Sequence, residues 1–285
     1  MIKNYHTLSI KDRKLFAING QDASAFLQGL ITTDIEQIAP QNLLPGALLS
    51  AQGKVLFDFL IGRYQNGYLI DIAHDLAPDF IKRLNLYKLR KSVEIIELLQ
   101  YDTYVSLTNN LPFKDFSLAF YDKRFKKQEK VIRFYLNTSF QTDGQEAHNW
   151  KRLCIHHGLA EGGRDYDLGQ VFPHDINYDQ IFGLSFHKGC YIGQEVVSRM
   201  HHRGLIRRRM LIARGESPLP SRAIVSVNGI AIGQLGEAVG HEALALLRLD
   251  RVATAVKQGH MIIAAGVPLK VTIAAQMAYD FSDYK

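Results

Sequence analysis

Lys188-Gly189-Cys190-Tyr191-Ile192-Gly193-Gln194-Glu195 is the most informative stretch of the chain. A cysteine lies between two glycines, with a lysine ahead of the first and a tyrosine after the thiol. Glycines at 189 and 193 permit a tight turn and a close backbone approach to a ligand or to another segment. A thiol near a lysine can be partly ionised, and is then nucleophilic or able to hold a metal. A buried apolar cysteine in a packed loop is the other reading, and the octapeptide alone leaves both open.

Downstream of it, Arg199, His201, His202, Arg203, Arg207, Arg208, Arg209 and Arg214 follow with no acidic residue from 199 to 214. Such a run repels itself without a counter-charge. This favours a site for carboxylates or phosphates, held by charge-assisted hydrogen bonds, over the solvated face of a linker. His201-His202 does not make a metal site, because adjacent residues on a helix or strand do not share a face, and no metal is expected.

Beyond Arg207 the texture changes to short apolar runs broken by turn residues. Val225-Ser226-Val227-Asn228-Gly229-Ile230-Ala231-Ile232 predicts a hairpin, because Asn-Gly supplies the positive φ angles of a type I′ turn. The runs 243–249, 261–264 and 269–273 continue the pattern, giving a small C-terminal β-barrel that separates from the rest near Gly204. Upstream, Ala23, Phe26, Leu27, Leu30 and Ile31 mark one face of a helix with Asp22 near its start. Strands are expected at 47–50, 55–61, 68–73 and 93–98, and a second helix over 78–90 with Phe80, Ile81, Leu84 and Tyr87 on one face. A third helix, 150–158, aligns Trp150, Leu153, Cys154 and His157 and ends at Gly158. Asp122-Lys123-Arg124-Phe125-Lys126-Lys127 reads as an exposed, solvated turn. Alternating strands and helices point to α+β layers.

The chain has 285 residues, 47% of them hydrophobic and 22% charged, with a formal net charge of +6. This is a folded globular composition of about two or three domains. Positive charge favours acidic partners without specifying one. The two cysteines, Cys154 and Cys190, are far apart and in no CxxC pair, so neither a disulfide framework nor a structural zinc site is expected. The first residues lack an apolar targeting segment and no stretch approaches ~20 apolar residues. A cytoplasmic protein away from membranes is the expectation.

Several further segments accompany the octapeptide: Gly20-Gln21-Asp22-Ala23, Phe26-Leu27-Gln28-Gly29-Leu30, Thr32-Thr33-Asp34, Gln52-Gly53-Lys54-Val55-Leu56-Phe57-Asp58, residues 158–165, Phe172-Pro173-His174-Asp175 and Val267-Pro268. Together and in this order they resemble the YgfZ-like branch of the folate proteins with the aminomethyltransferase fold. These are relatives of the glycine-cleavage T protein and include a mitochondrial iron–sulfur assembly factor. The resemblance spans nearly the whole chain. It implies an α+β, three-domain aminomethyltransferase-like ring around a central channel. Residues 1–205 would form two interleaved folate-binding subdomains, and residues 206–285 the C-terminal β-barrel.

The cofactor implied is tetrahydrofolate or a derivative. Cys190 would be the functional thiol facing the channel, and Lys188, Gly189, Tyr191, Gly193, Gln194, Glu195, Arg199 and Arg203 would surround the ligand. The role implied is support of iron–sulfur cluster assembly or repair, with a downstream effect on tRNA modification. Partners would be folate and iron–sulfur proteins or their assembly machinery. Direct tRNA binding through 199–214 forms a separate reading. A tetrahydrofolate-dependent aminomethyltransferase-type one-carbon transferase, using Asp58 or the Cys190 thiolate, is the enzymatic alternative.

Two departures weigh on these implications. Aligned on Gly53, Phe57 occupies the place of the transferases' catalytic aspartate and leaves only Asp58, and a phenylalanine cannot move a proton. Four residues before Gly158, where related proteins carry an arginine toward the ligand, this chain has Cys154. Arg152 is about 160° away around a helix of ~3.6 residues per turn and cannot replace it.

Overall fold

The apolar runs expected as strands at 47–50, 55–61 and 68–73 do form strands, the first of them beginning earlier, at Asn42, and they form the middle of a large sheet. The computed structural model describes residues 7–107, 118–126, 130–137 and 146–283. Strands β1 (Thr7–Ile10), β2 (Arg13–Asn19), β3 (Asn42–Leu49), β4 (Val55–Tyr64), β5 (Gly67–Ala73), β6 (Glu94–Glu97), β7 (Asp102–Ser106), β8 (Ala119–Asp122) and β9 (Ile132–Leu136) form one nine-stranded sheet. Its order is β1-β7-β9-β8-β3-β4-β5-β2-β6. The chain divides into two compact units. One comprises Met1–Leu49, Leu56–Trp150 and Ile181–Ile192, the other Ser50–Val55, Lys151–Gln180 and Gly193–Lys285.

In the first unit, alternation along β4 sends Phe57, Phe59 and Ile61 to one face and Leu60 to the other. The Phe57 face packs beneath α1 (Ala23–Gln28) and α2 (Ala77–Lys88), which contribute Phe26, Leu27, Phe80 and Leu84. Full burial of one such side chain is worth about 1.5–3 kcal/mol. The opposite face joins Leu15, Leu60 and Leu69 to Phe120 and Tyr135. Both faces are apolar, so the strands read as nearly continuous hydrophobic runs.

The first helix is shorter than its apolar spacing suggests, six residues ending at Gly29. Leu30 and Ile31 remain buried, but Ile31 leaves the helix to bridge Leu48. The Asp22 carboxylate does not cap that helix; it accepts the backbone N–H of Ser92 at 2.7 Å.

The solvated-turn reading of 122–127 is also overturned: Asp122, Arg124 and Phe125 are buried. Arg124 Nη2 donates to Asp122 Oδ2 at 2.6 Å, so the two charges satisfy each other inside the protein; Lys127 lies outside the described residues. Asp71 is fully buried and accepts from Arg13 Nε (2.5 Å), Arg133 Nη1 (2.7 Å) and the Tyr135 hydroxyl (2.8 Å). Burial alone would raise its pKa, but the two guanidiniums prevail and hold it at about 2.

In the second unit, β10 (Arg208–Gly215), β11 (Ile224–Val227), β12 (Ile230–Val239), β13 (Glu242–Arg248), β14 (Ile262–Ala264) and β15 (Val267–Thr272) close into a barrel. The hairpin turn is as expected, with φ of 50° at Asn228 and 78° at Gly229. Between β13 and β14 the chain inserts a helix, α5 (Leu249–Gln258), whose Leu249, Val252 and Ala255 cover the barrel core. The other helices are α3 (Glu146–His157), capped by Gly158 at φ 67°, and α4 (Gln194–His202).

Candidate functional site

The octapeptide lies where the chain passes from one compact unit to the other, between Ile192 and Gly193. On the first-unit side, Lys188 Nζ donates to the carbonyls of Ile31 and Thr33, both at 2.8 Å. It also sits 5.1 Å from the centre of the Tyr191 ring. Burial lowers the pKa of Lys188 to about 8, opposed by the carboxylates of Asp34 and Glu36. Tyr191 is buried, which raises its hydroxyl pKa, and Ile192 packs on the helical core.

The segment that receives Lys188 is itself fixed. Thr32 Oγ1 donates to the Gly183 carbonyl (2.6 Å) and Ser185 N–H donates to the Thr32 carbonyl (3.0 Å). Cys190 is exposed between these anchors. Lys188 therefore fastens the loop, with two of its three N–H donors committed to backbone oxygens, while the thiol stays accessible.

On the second-unit side, Gly193 at φ 81° is the N-terminal boundary of α4. The Gly53 turn packs against that helix: a Cβ added at Gly53 would lie 3.2 Å from Val196 Cβ and 3.3 Å from the Gly193 carbonyl oxygen. Glu195 and Arg199 form an exposed i,i+4 pair at 2.5 Å.

The arginine run proves to be largely neutralised within the unit, by acids distant in sequence. Arg208 pairs with Asp175 (2.7 Å), Arg209 with Asp179 (2.5 Å) and Arg214 with Glu242 (2.7 Å). With Arg199 paired to Glu195, four of the run's six arginines thus already have carboxylate partners within the chain. Arg203 and Arg207 are exposed and form no ion pair among the described residues.

Sequence reasoning did not foresee a second polar cluster in this unit. Lys54 Nζ lies 3.4 Å from the centre of the Phe172 ring and donates to the Gln170 carbonyl at 3.1 Å, an oxygen that also accepts from Arg208 at 3.3 Å. The His174 and His201 rings stack 6.0 Å apart at an interplanar angle of 16°. The resemblance marked residues 172–175 as a segment; its charge partners lie roughly 30 residues away and leave no local signal.

Cys154 and Cys190 differ sharply. Cys154 is buried on α3. Arg152 on the same helix is drawn toward Glu242 at 3.8 Å. Phe57 belongs to the core, edge-on to Phe80 at 5.5 Å, and Asp58 is half-buried on the next position of β4. Among the described residues no group of three or more His, Cys, Asp or Glu could hold a metal ion, and no helix is long and apolar enough to cross a membrane.

A nine-stranded sheet with two covering helices, a six-stranded closed barrel and this loop define a protein of the aminomethyltransferase fold. The crystal structure of glycine cleavage system aminomethyltransferase T from Bartonella henselae matches with a TM-score of 0.66, covering 96% of this chain and 86% of that one at 15% identity. Residues 207–279 match the family of the CAF17 C-terminal beta-barrel domain.

More particularly, this chain is similar to iron–sulfur cluster assembly factors of the IBA57 type. The mitochondrial IBA57 of Homo sapiens is 26% identical over 93% of this chain and 82% of the human protein. That of Mus musculus is 27% identical over 84% and 76%. The mitochondrial homologue of Dictyostelium discoideum is 26% identical over 70% of this chain and 60% of its own length. This chain thus spans less than two thirds of the Dictyostelium relative, as it does of the Coccidioides immitis one, where the share is 59%.

These relatives are named as mitochondrial, which overturns the expectation of a cytoplasmic protein. Unpaired cysteines separate reducing from oxidising compartments; they do not separate cytosol from mitochondrion. Residues 1–6, on which the targeting argument rested, lie outside the described residues.

Proposed function

We propose that this chain is an iron–sulfur cluster assembly or repair factor whose working group is the Cys190 thiol, and that it binds a tetrahydrofolate-type ligand. The observation that carries the proposal is the contrast between an exposed Cys190 and the anchored residues around it, Lys188 and Tyr191. The names of the IBA57 relatives support the cluster role. An iron–sulfur cluster is held by several thiolates, and this chain has only two cysteines, one of them buried. A cluster in transit would therefore take most of its ligands from a partner, with Cys190 contributing one. An effect on tRNA modification would follow through enzymes that need clusters.

For folate, the exposed cations Arg203 and Arg207 fit the glutamate carboxylates, and Cys154 supplies no cation where relatives of the fold carry an arginine. Direct tRNA binding has less support, because Arg199, Arg208, Arg209 and Arg214 already have carboxylate partners. The one-carbon transferase reading is disfavoured by Phe57, which offers no proton-transfer group.

The test is complementation of a strain lacking the protein, scored by the activity of cluster-dependent enzymes. Cys190→Ser is expected to fold normally and fail to restore them; full restoration would overturn the thiol role. Titration of the purified chain with tetrahydrofolate is expected to saturate, and to weaken when Arg203 and Arg207 are both changed to Ala. Absence of saturable binding would remove folate from the proposal while leaving the cluster role standing.

A further inference from the structure

The β-barrel carries a face that the cluster role does not use. Two depressions, of about 140 and 310 Å3, meet at His260. The first is lined by Ile230, Ile232 and Thr254, the second by Val256, Met261 and Leu269. Thr254 and Val256 lie two residues apart on α5, roughly 200° around it, so the depressions flank the C-terminal end of that helix. Ile230, Val256 and Met261 are 61%, 58% and 64% exposed, a set of large apolar side chains turned to solvent. Singly they would need no explanation; grouped around adjoining depressions they mark an interaction surface.

Neither depression is lined by an Asp or Glu. Residues 217–236 and 251–272, which build this face, contain no Asp or Glu. Arg251 lines the first depression and Lys270 the second, and neither forms an ion pair among the described residues. Asp250, beside Arg251, is already held by Arg248 at 2.6 Å.

We infer that this face docks an amphipathic helix of a partner protein, apolar along one stripe with acidic residues beside it. Three observations select that occupant. The barrel is closed, so no strand edge is open for an extended peptide and recognition falls to side chains. Apolar hollows accept the anchors of a helix at i, i+3, i+4 and i+7. The cationic rim, with no acid in either segment, complements carboxylates. A second copy of this chain is the poorer fit: an isologous contact would oppose the same cations in a molecule of net charge +6.

The experiment is fluorescence anisotropy of the full chain with a synthetic amphipathic peptide bearing Leu at i, i+3, i+4 and i+7 and Glu beside them. The comparison peptide has Lys in place of Glu. The Glu peptide should bind saturably, more weakly as salt rises, and the Lys peptide should not bind. Met261→Glu, and separately the pair Arg251→Glu with Lys270→Glu, should each weaken binding by about tenfold or more. Every site changed is on the surface, and retained thermal melting of each variant establishes that it folds. Equal binding of both peptides, no saturable binding, or indifference to either set of substitutions overturns the inference. So does affinity confined to phosphatidylglycerol vesicles, which would assign the face to a lipid surface. Self-association abolished by Met261→Glu would assign it to a second copy instead.

Discussion

Burial keeps the imidazole of His174 neutral, because an ionised ring there would lose its water. Its pKa falls to about 4: desolvation is the largest cause, Asp179 pulls the other way, and Arg209 and His201 add to the lowering. An unfolded histidine titrates near 6.5, so between about pH 6.5 and 4 the unfolded chain binds a proton that the folded chain refuses. Stability is therefore full above that window and declines as pH falls through it, by on the order of 3 kcal/mol. His174→Phe removes the titration while keeping a ring beside His201. Urea unfolding followed from pH 7 to pH 4.5 should show a shallower decline for the variant. Parallel declines in the two proteins would rule His174 out as the cause. Asp71 acts in the same direction at lower pH, since a carboxyl held at about 2 loses its contribution as it protonates. At this scale the sequence displays identities but not environments. Cys190 could be singled out from its neighbours, whereas the burial of His174, Asp122 and Cys154 depends on segments far away in the chain.

Elements were legible where one physical rule operates alone. Strands β3, β4 and β5 follow from apolar runs between turn residues, and the Asn228-Gly229 turn follows from backbone sterics alone. Helix α5 was not legible because it occupies a stretch that otherwise reads as successive short strands, and its apolar stripe is brief. Helix α1 was over-extended because Leu30 and Ile31 are buried by loop packing, which imitates helical periodicity. Glycines inside the barrel illustrate a constraint of the same kind. A Cβ at Gly233 would lie 2.0 Å from the Leu246 carbonyl oxygen on the neighbouring strand, a contact that backbone cannot yield cheaply. At Gly240 nothing lies within 4 Å, and only its φ of 60° resists a side chain. Gly233→Ala should therefore cost several times more than Gly240→Ala, which should lose about 1 kcal/mol. Denaturant midpoints of the two variants decide this; equal losses would mean that β12 and β13 separate easily.

For the whole molecule the fold and the reaction come apart. A TM-score of 0.66 to an aminomethyltransferase establishes a shared architecture at 15% identity, and chemistry resides in sites placed upon it. The family-like order of segments made the architecture readable from the sequence. The state of the site was less readable, because Arg208, Arg209 and Arg214 of the arginine run are balanced by Asp175, Asp179 and Glu242 through three-dimensional pairing. Phe57 puts the separation to a direct test. If one lost aspartate were all that divided this chain from a transferase, Phe57→Asp would restore methylene transfer. The structure argues otherwise: Phe57 is 8% exposed, in a cluster with Phe59, Phe80 and Leu84, and edge-on to the Phe80 ring. A carboxylate there leaves a cavity and sits without water, at a cost of roughly 4 kcal/mol or more. Phe57→Asp should thus lower the melting temperature sharply and yield no methylenetetrahydrofolate from an aminomethyl donor. Phe57→Leu, which keeps the position apolar, should melt much closer to the parent. A Phe57→Asp protein that folded well and turned over would mean that the core at β4 accommodates a catalytic carboxylate after all.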